Sequence, residues 1–298
     1  MEDLIGSSSD RALDLIDLAA PLLPTLEANL HLPIGDQISA WTAYHSTFAP
    51  TLLNLIVTDY QGVEGGWRAI AESRIFPALA GLLPRMKLAL VNLRSGCAEW
   101  CQEAQEKLGL REHPLVVAYV GLGNGAGWAT VFDSHPAVLI GLENVAELGW
   151  EQPRILRGLL AHEMGHLLMQ ESRHGAQTPA EDPFLTLFEE GFAMECEHLV
   201  LGCEHWHCSS DESWLEWCRT HEGELCNLFM AAVKEYKQWR RFFGSWFEVQ
   251  GRRQTGYYLG WRFVQRALNG STLRELATWP RELIREEVRN FLVAMTRR

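Results

Sequence analysis

Two histidines and a glutamate within five residues form the segment of this chain with the clearest chemistry. The segment His162–His166 has the pattern His-Glu-x-x-His, and Pro153 upstream suits the first turn of a helix. Residues four apart lie on one helix face, so the two imidazoles can bind the same metal ion. Glu163 projects from an adjacent face, where its carboxylate can reach an activated water without binding the metal. The pattern therefore predicts a zinc-dependent hydrolase site.

The alternative is a surface helix with two incidental histidines. Apolar residues surround the motif, at Ile155, Leu156, Leu159, Leu160, Leu167 and Leu168. An apolar helix face indicates burial, and buried histidines need polar partners. A shared metal ion is the partner that fits both imidazoles.

A second predicted helix offers a third ligand. A catalytic zinc typically has three protein ligands and an open position for water. The segment Pro183–Glu195 carries Glu189 and Glu190 in an apolar setting. Gly191 and Ala193 are small enough to let this helix pack closely against the first. The residues by themselves do not decide which of the two glutamates is the ligand. One of such an adjacent pair is expected to be an exposed charge.

These segments resemble the motifs of the gluzincin metallopeptidases. In that group the Glu of a Glu-Gly-Phe-Ala-type segment is the third zinc ligand, and here Glu190 begins such a segment. Thr255–Val264 resembles the Gly-Tyr-x-x-Gly-Tyr segment of the YjaZ-like family of predicted zinc-dependent proteases. The resemblance covers roughly residues 110 to 270. It implies one zinc ion per chain, bound by His162, His166 and Glu190.

Peptide-bond hydrolysis is the activity that the motif and the resemblance imply. Zinc lowers the pKa of a bound water toward about 7. Glu163 would take the proton of that water and pass it to the leaving amine. The developing oxyanion needs a second donor, and the resemblance points to Tyr257 or Tyr258. The alternative for these tyrosines is packing in an aromatic-rich helix.

The resemblance also implies a strand that pairs with the substrate backbone. Residues 126–132, after a glycine-rich loop, are the candidate, and an ordinary hairpin strand is the alternative. The loop itself lacks the Lys-Ser/Thr of a phosphate-binding loop, which favours a turn.

The sequence departs from the gluzincin pattern in ways that bear on mechanism. Thermolysin-like enzymes have an Asp four residues after the third ligand to orient a histidine, but position 194 is Met. Glu197, on the same helix face as Glu190, is a candidate substitute. The Gly-x-Met-x-Asn segment of the large aminopeptidases is not visible, so aminopeptidase specificity is not expected. Two alternatives stay open: a non-catalytic zinc-containing binding or regulatory protein on this fold, and a metallohydrolase acting on a non-peptide amide.

The helices and strands that must position these residues can also be predicted from the sequence. They indicate an α+β, mostly helical protein with a zincin-like fold and a small β-sheet. Helices are predicted at Asp10–Ala19, Ile38–Tyr60, Trp67–Leu83, Arg85–Leu108 (closed by Gly109) and almost continuously after Pro153. β-Branched and aromatic runs predict strands at 114–120, 128–132 and 137–142. We expect a helical N-terminal region over 1–112 and a catalytic region over 113–298.

The net charge and the hydropathy of the chain limit the kinds of partner that we expect it to bind. With 26 Lys+Arg and 38 Asp+Glu the net charge is −12, which argues against a nucleic-acid partner. No apolar stretch approaches the roughly 20 residues of a membrane helix, and the acidic N-terminus does not resemble a signal peptide. We therefore expect a cytoplasmic protein with no nucleic-acid or membrane partner, whereas a peptide or protein substrate is what the motif and the resemblance imply.

The seven cysteines are predicted to be free thiols. Their number is odd and no Cys-x-x-Cys pair occurs. The Cys/His cluster over residues 196–226 could hold a structural zinc, but its spacing favours buried cysteines with incidental histidines.

Overall fold

The computed structural model describes residues 15–173, 182–209, 212–235 and 237–296. The strands are β1 (Leu15–Asp17), β2 (Leu115–Tyr119), β3 (Gly127–Phe132) and β4 (His135–Gly141). The helices of the N-terminal half are α1 (Leu23–Asn29), α2 (Ile34–Phe48), α3 (Pro50–Thr58), α4 (Gly66–Ile70) and α5 (Phe76–Leu108), with a π-helical turn at Ala71–Ile75. Then follow α6 (Leu142–Leu148), α7 (Pro153–Ser172), α8 (Pro183–Leu201), α9 (Glu212–Thr220), α10 (Glu222–Ala232), α11 (Thr255–Ala267), α12 (Leu273–Ala277) and α13 (Arg281–Met295), with a 3₁₀ turn at Gln238–Phe242. The chain is mostly helical with a small mixed sheet, as predicted.

The chain forms two compact units. The first comprises the described residues up to Gln105 together with Arg111–Arg157, and it contains the sheet. The second comprises Glu106–Leu110 and the described residues from Gly158 onward. Compactness thus groups the sheet with the N-terminal helices, and the expected division into a helical N-terminal region over 1–112 and a catalytic region over 113–298 stays a prediction.

The sheet has the strand order β1-β2-β4-β3. β2 pairs in parallel with β1 and β4, and β3 pairs antiparallel with β4 at one end of the order. β2 and β4 are almost entirely buried, which explains their continuous apolar sequences. Asp133 and Ser134 join β3 to β4 with positive φ angles of 47° and 68°, as a type I′ hairpin turn requires at both of its central residues. The three predicted strands are confirmed.

The prediction of a helix at Asp10–Ala19 is wrong over the part of this segment that the structure describes. Leu15–Asp17 is strand β1, in parallel register with β2, while residues 10–14 lie outside the described residues. The Asp17 Oδ1 atom accepts the backbone N–H of Ala19 (3.1 Å) and of Ala20 (2.8 Å), which starts a turn directly after the strand. Pairing with a buried strand here overrides the local helical periodicity.

The helix break predicted at Pro84 is also wrong. α5 runs without interruption from Phe76 to Leu108, with Pro84 inside it. A proline removes one intrahelical hydrogen bond, but buried side chains on both sides of it, including Leu79, Leu83 and Met86, hold the helix in place. Gly109 follows α5 with φ +68°, as expected of a residue that ends a helix.

One helical stretch matches a membrane span by length and composition. Gly66–Leu108 meets both criteria, and 39% of its most apolar window is buried within the protein. Core helices of soluble proteins share this composition, so the absence of a membrane partner stays a prediction.

The glycine-rich loop after β2 is organised by a buried carboxylate. Glu143 accepts the N–H of Gly121 (2.7 Å) and the N–H of Gly123 (2.9 Å), and burial raises the pKa of its carboxyl. These two loop donors are therefore already paired within the protein and are not free to bind a phosphate.

Candidate metal centre

Helices α7 and α8 carry the predicted metal ligands. α8 begins at an Asp182 cap, whose Oδ1 accepts the N–H of Phe184 and of Leu185, followed by Pro183. A Cβ on Gly165 of α7 would lie only 3.0 Å from Cα of Ala193, so the two helices approach closely at this point. Ala193 therefore has the role expected of it. Gly191 does not, because it faces α11 rather than α7.

Three ligand atoms from these helices converge. Nε2 of His162 lies 3.2 Å from Oε2 of Glu190 and 3.3 Å from Nε2 of His166. The third edge, from Nε2 of His166 to Oε2 of Glu190, is 3.6 Å. His162 is 2% exposed, whereas His166 and Glu190 are each 19% exposed, so the cluster has an opening on the side of the last two.

The spacing of these atoms matches a tetrahedral zinc site. With zinc–nitrogen and zinc–oxygen bonds near 2.1 Å, the ligand atoms of a tetrahedron are about 3.4 Å apart. The three measured edges bracket that value. The two imidazoles and the carboxylate are also ligand types that catalytic zinc sites use.

The electrostatics of the cluster follow from burial and close contact. Burial lowers the pKa of His162 to about 4. Burial would also lower the pKa of His166, but the nearby Glu190 carboxylate raises it to about 9. For Glu190 burial is outweighed by the charge of His166 and by hydrogen bonds with both histidines, which hold its pKa well below the usual range. The carboxylate thus remains charged and available to a cation.

Glu189 has a different partner from its neighbour. Its Oε1 lies 3.0 Å from Nη1 of Arg173, and the same arginine donates through Nε to the carbonyl of Ala277. The structure therefore brings Glu190, rather than Glu189, to the histidines.

Glu163 lies beside the cluster on α7 and is 7% exposed. Burial lowers the pKa of His166, whereas the charge of Glu190 and, after it, the charge of Glu163 raise it. The charge of Glu163 also contributes to the raised pKa of Tyr257, after burial, Glu190 and Cys208. The carboxylate is thus close to both residues, as a group acting on a reactant in this cluster must be.

The two candidate tyrosines are separated by the rotation of α11. The ring of Tyr257 lies 5.6 Å from that of His162, and the nearby Glu190 carboxylate adds to the effect of burial in raising the pKa of the Tyr257 hydroxyl. Tyr258 instead packs against Trp206 and Trp261 and lies near Arg262. Successive helical residues point about 100° apart, so only one of the pair can face the cluster.

Sequence reasoning missed two residues next to the centre. His205 and His207 both bind the carboxylate of Glu197, at 2.6 Å and 2.5 Å. They belong to the Cys/His cluster in which the histidines were interpreted as incidental. The available signal was the His-x-His spacing shortly after a helix that carries Glu190 and Glu197 on one face. The seven cysteines lie within the described residues and are free.

The edge strand β3 lies in the first unit, and its predicted pairing with a substrate stays a prediction. No model of a protein family, no curated protein and no solved structure matches this chain. The assignment of the site therefore depends on its geometry and chemistry alone.

Proposed function

We propose that this protein is a zinc-dependent metallopeptidase with one zinc ion per chain. The observation that carries the proposal is the triangle of His162 Nε2, His166 Nε2 and Glu190 Oε2, whose edges of 3.2 to 3.6 Å fit zinc. Three protein ligands leave a fourth position open, which favours a catalytic over a structural site. A zincin-like fold is part of the same proposal.

Bound zinc would supply a nucleophile from water near neutral pH and polarise the carbonyl of an amide. Glu163 then has the role of general base: it accepts the proton of the attacking water and delivers it to the leaving nitrogen. Its position next to His162 on α7 keeps its carboxylate close to the ligands, and its burial keeps bulk water away.

Tyr257 is the proposed donor to the oxyanion. Its hydroxyl is already next to Glu190, and burial raises its pKa, so it stays protonated and able to donate. Tyr258 does not lie beside Glu190, because it packs against Trp206 and Trp261 and lies near Arg262.

The test is cleavage of a peptide library by the zinc-loaded protein, with Glu163→Gln as the matched inactive variant. We expect peptide products from the parent protein only. Products from neither protein, with zinc bound to both, would favour the non-catalytic alternative. Turnover of small non-peptide amides without peptide cleavage would favour the second alternative, a metallohydrolase that acts on a non-peptide amide.

A further inference from the structure

Glu197 is a fully buried carboxylate held by the segment that follows α8. Nδ1 of His205 lies 2.6 Å from its Oε1, and Nδ1 of His207 lies 2.5 Å from its Oε2. The backbone N–H of His207 donates a third hydrogen bond, 2.9 Å long, to Oε1. Gly202 ends α8 with φ +69° and reverses the chain, so that both histidines return to the helix. Three donors offset the cost of burying this charge.

Helix α7 leaves space for this arrangement. A Cβ on Gly158 would lie 2.8 Å from Oε1 of Glu197 and 2.8 Å from the ring of His205. Gly158 is one helical turn before His162, so Glu197 and His205 pack against α7 close to this metal ligand.

His162 has one ring nitrogen without a partner. Its Nε2 faces His166 and Glu190, whereas its Nδ1 is buried and makes no hydrogen bond. Oε2 of Glu197 lies 4.0 Å from this Nδ1, about 1 Å beyond an N–H···O hydrogen bond. The rings of His162 and His207 are in contact, with centroids 4.7 Å apart.

A second metal ion is the alternative use of His162, Glu197 and His207, whose ligand atoms also lie together. The distances argue against it. The 2.5 Å separation of Glu197 Oε2 and His207 Nδ1 is that of a hydrogen bond, and it is much shorter than the roughly 3.4 Å between two ligands of one zinc.

We propose that His205 and His207 act through Glu197 as positioning residues for His162. Each donates its Nδ1 proton to Glu197, whose negative charge, 4.0 Å from Nδ1 of His162, favours a proton on that nitrogen. The proton on Nδ1 fixes the tautomer in which the Nε2 lone pair faces the metal. This inference rests on the zinc site of the proposed function.

Formal charges support the arrangement. A divalent cation bound by two neutral imidazoles and Glu190 leaves one positive charge in a largely buried site. The carboxylate of Glu197 compensates that charge.

Zinc affinity tests the inference, measured by competition with a chromophoric chelator, together with the visible spectrum of the cobalt-substituted protein. His205→Ala and His207→Ala remove a donor, whereas His205→Asn and His207→Asn keep an N–H at the Nδ1 position. We expect the alanine variants to lose about 10- to 100-fold in affinity and to alter the cobalt spectrum. The asparagine variants should remain within a few-fold of the parent. His221→Asn is the control, because His221 bonds to the Trp217 carbonyl instead.

Thermal unfolding of the metal-free variants shows whether a loss of zinc affinity results from a general folding defect. Equal losses of zinc affinity and of metal-free stability in the alanine and asparagine variants would contradict a positioning role. Parental zinc affinity in both alanine variants would overturn the inference and leave the proposed zinc site intact. Two zinc ions in the parent, one of them lost in His207→Ala, would replace positioning by a second metal site. A parent that binds no zinc would overturn the proposed function and this inference together.

Discussion

Gly191 of α8 and Gly260 of α11 lie in direct backbone contact. A Cβ on Gly191 would lie 2.0 Å from the carbonyl carbon of Gly260, and a Cβ on Gly260 would lie 2.1 Å from the carbonyl oxygen of Leu187. The crossing fixes α11 against the residue that follows Glu190. It thereby holds Tyr257, almost one turn before Gly260, next to the cluster.

The first prediction is that Gly191→Ala destabilises the protein by about 3 kcal/mol or more, because the added methyl group meets backbone that cannot move aside. Denaturant unfolding measures the loss. Gly81→Ala is the control: Gly81 is helical with open space around it, and alanine there should stabilise by about 0.5–1 kcal/mol. Parental stability of Gly191→Ala would contradict the close crossing.

The second prediction concerns Glu163→Gln. The amide keeps the size of the side chain but cannot accept a proton, so turnover should fall by about 10²- to 10⁴-fold. Zinc content should be unchanged, because Glu163 is not one of the three converging ligands. Kinetics on a cleaved peptide, together with metal analysis, check both parts. Parental turnover would exclude Glu163 as the base.

The third prediction separates the two tyrosines. Tyr257→Phe should lower turnover about a hundredfold with little change in KM, since an oxyanion donor acts mainly in the transition state. Tyr258→Phe should keep nearly parental turnover, because its hydroxyl interacts with Arg262. The reverse order of the two effects would move the donor to Tyr258.

The fourth prediction concerns His45, which is fully buried on α2. Burial lowers its pKa from 6.5 to about 4, although its Nδ1 also bonds to the Trp41 carbonyl. Between these values the unfolded chain binds a proton that the folded protein does not, so stability falls as the pH falls from about 6.5 toward 4. At pH 5 the loss from this group is about 2 kcal/mol relative to pH 7. The free energy of unfolding of His45→Asn should lack this share of the pH dependence, and identical pH profiles would refute the assignment.

Local patterns were enough to predict the parts of the site that depend on one helix. The spacing of His162 and His166 determines their common face, and the β-branched run before Tyr119 defines a buried strand. β1 could not be predicted this way, because its conformation comes from pairing with a strand about a hundred residues away. The choice between Tyr257 and Tyr258 depends on the rotation of α11, which composition does not report.

The binding of Glu197 by His205 and His207 is beyond local patterns for a similar reason. It depends on the chain reversal at Gly202, directly after α8, and on the space at Gly158 of α7, and the effects of these two glycines combine only in the folded protein. Spacing identified Glu197 as a candidate partner of a histidine but gave no sign of its own partners.

Zinc stoichiometry and affinity, compared between the parent, Glu190→Gln and Glu189→Gln, test the central claim most directly. The two variants change adjacent carboxylates of the same helix in the same way, so they differ only in the partner that is lost. We predict one zinc per chain in the parent and in Glu189→Gln, and strongly reduced affinity in Glu190→Gln. Parental affinity in Glu190→Gln, or a parent without zinc, would contradict the account.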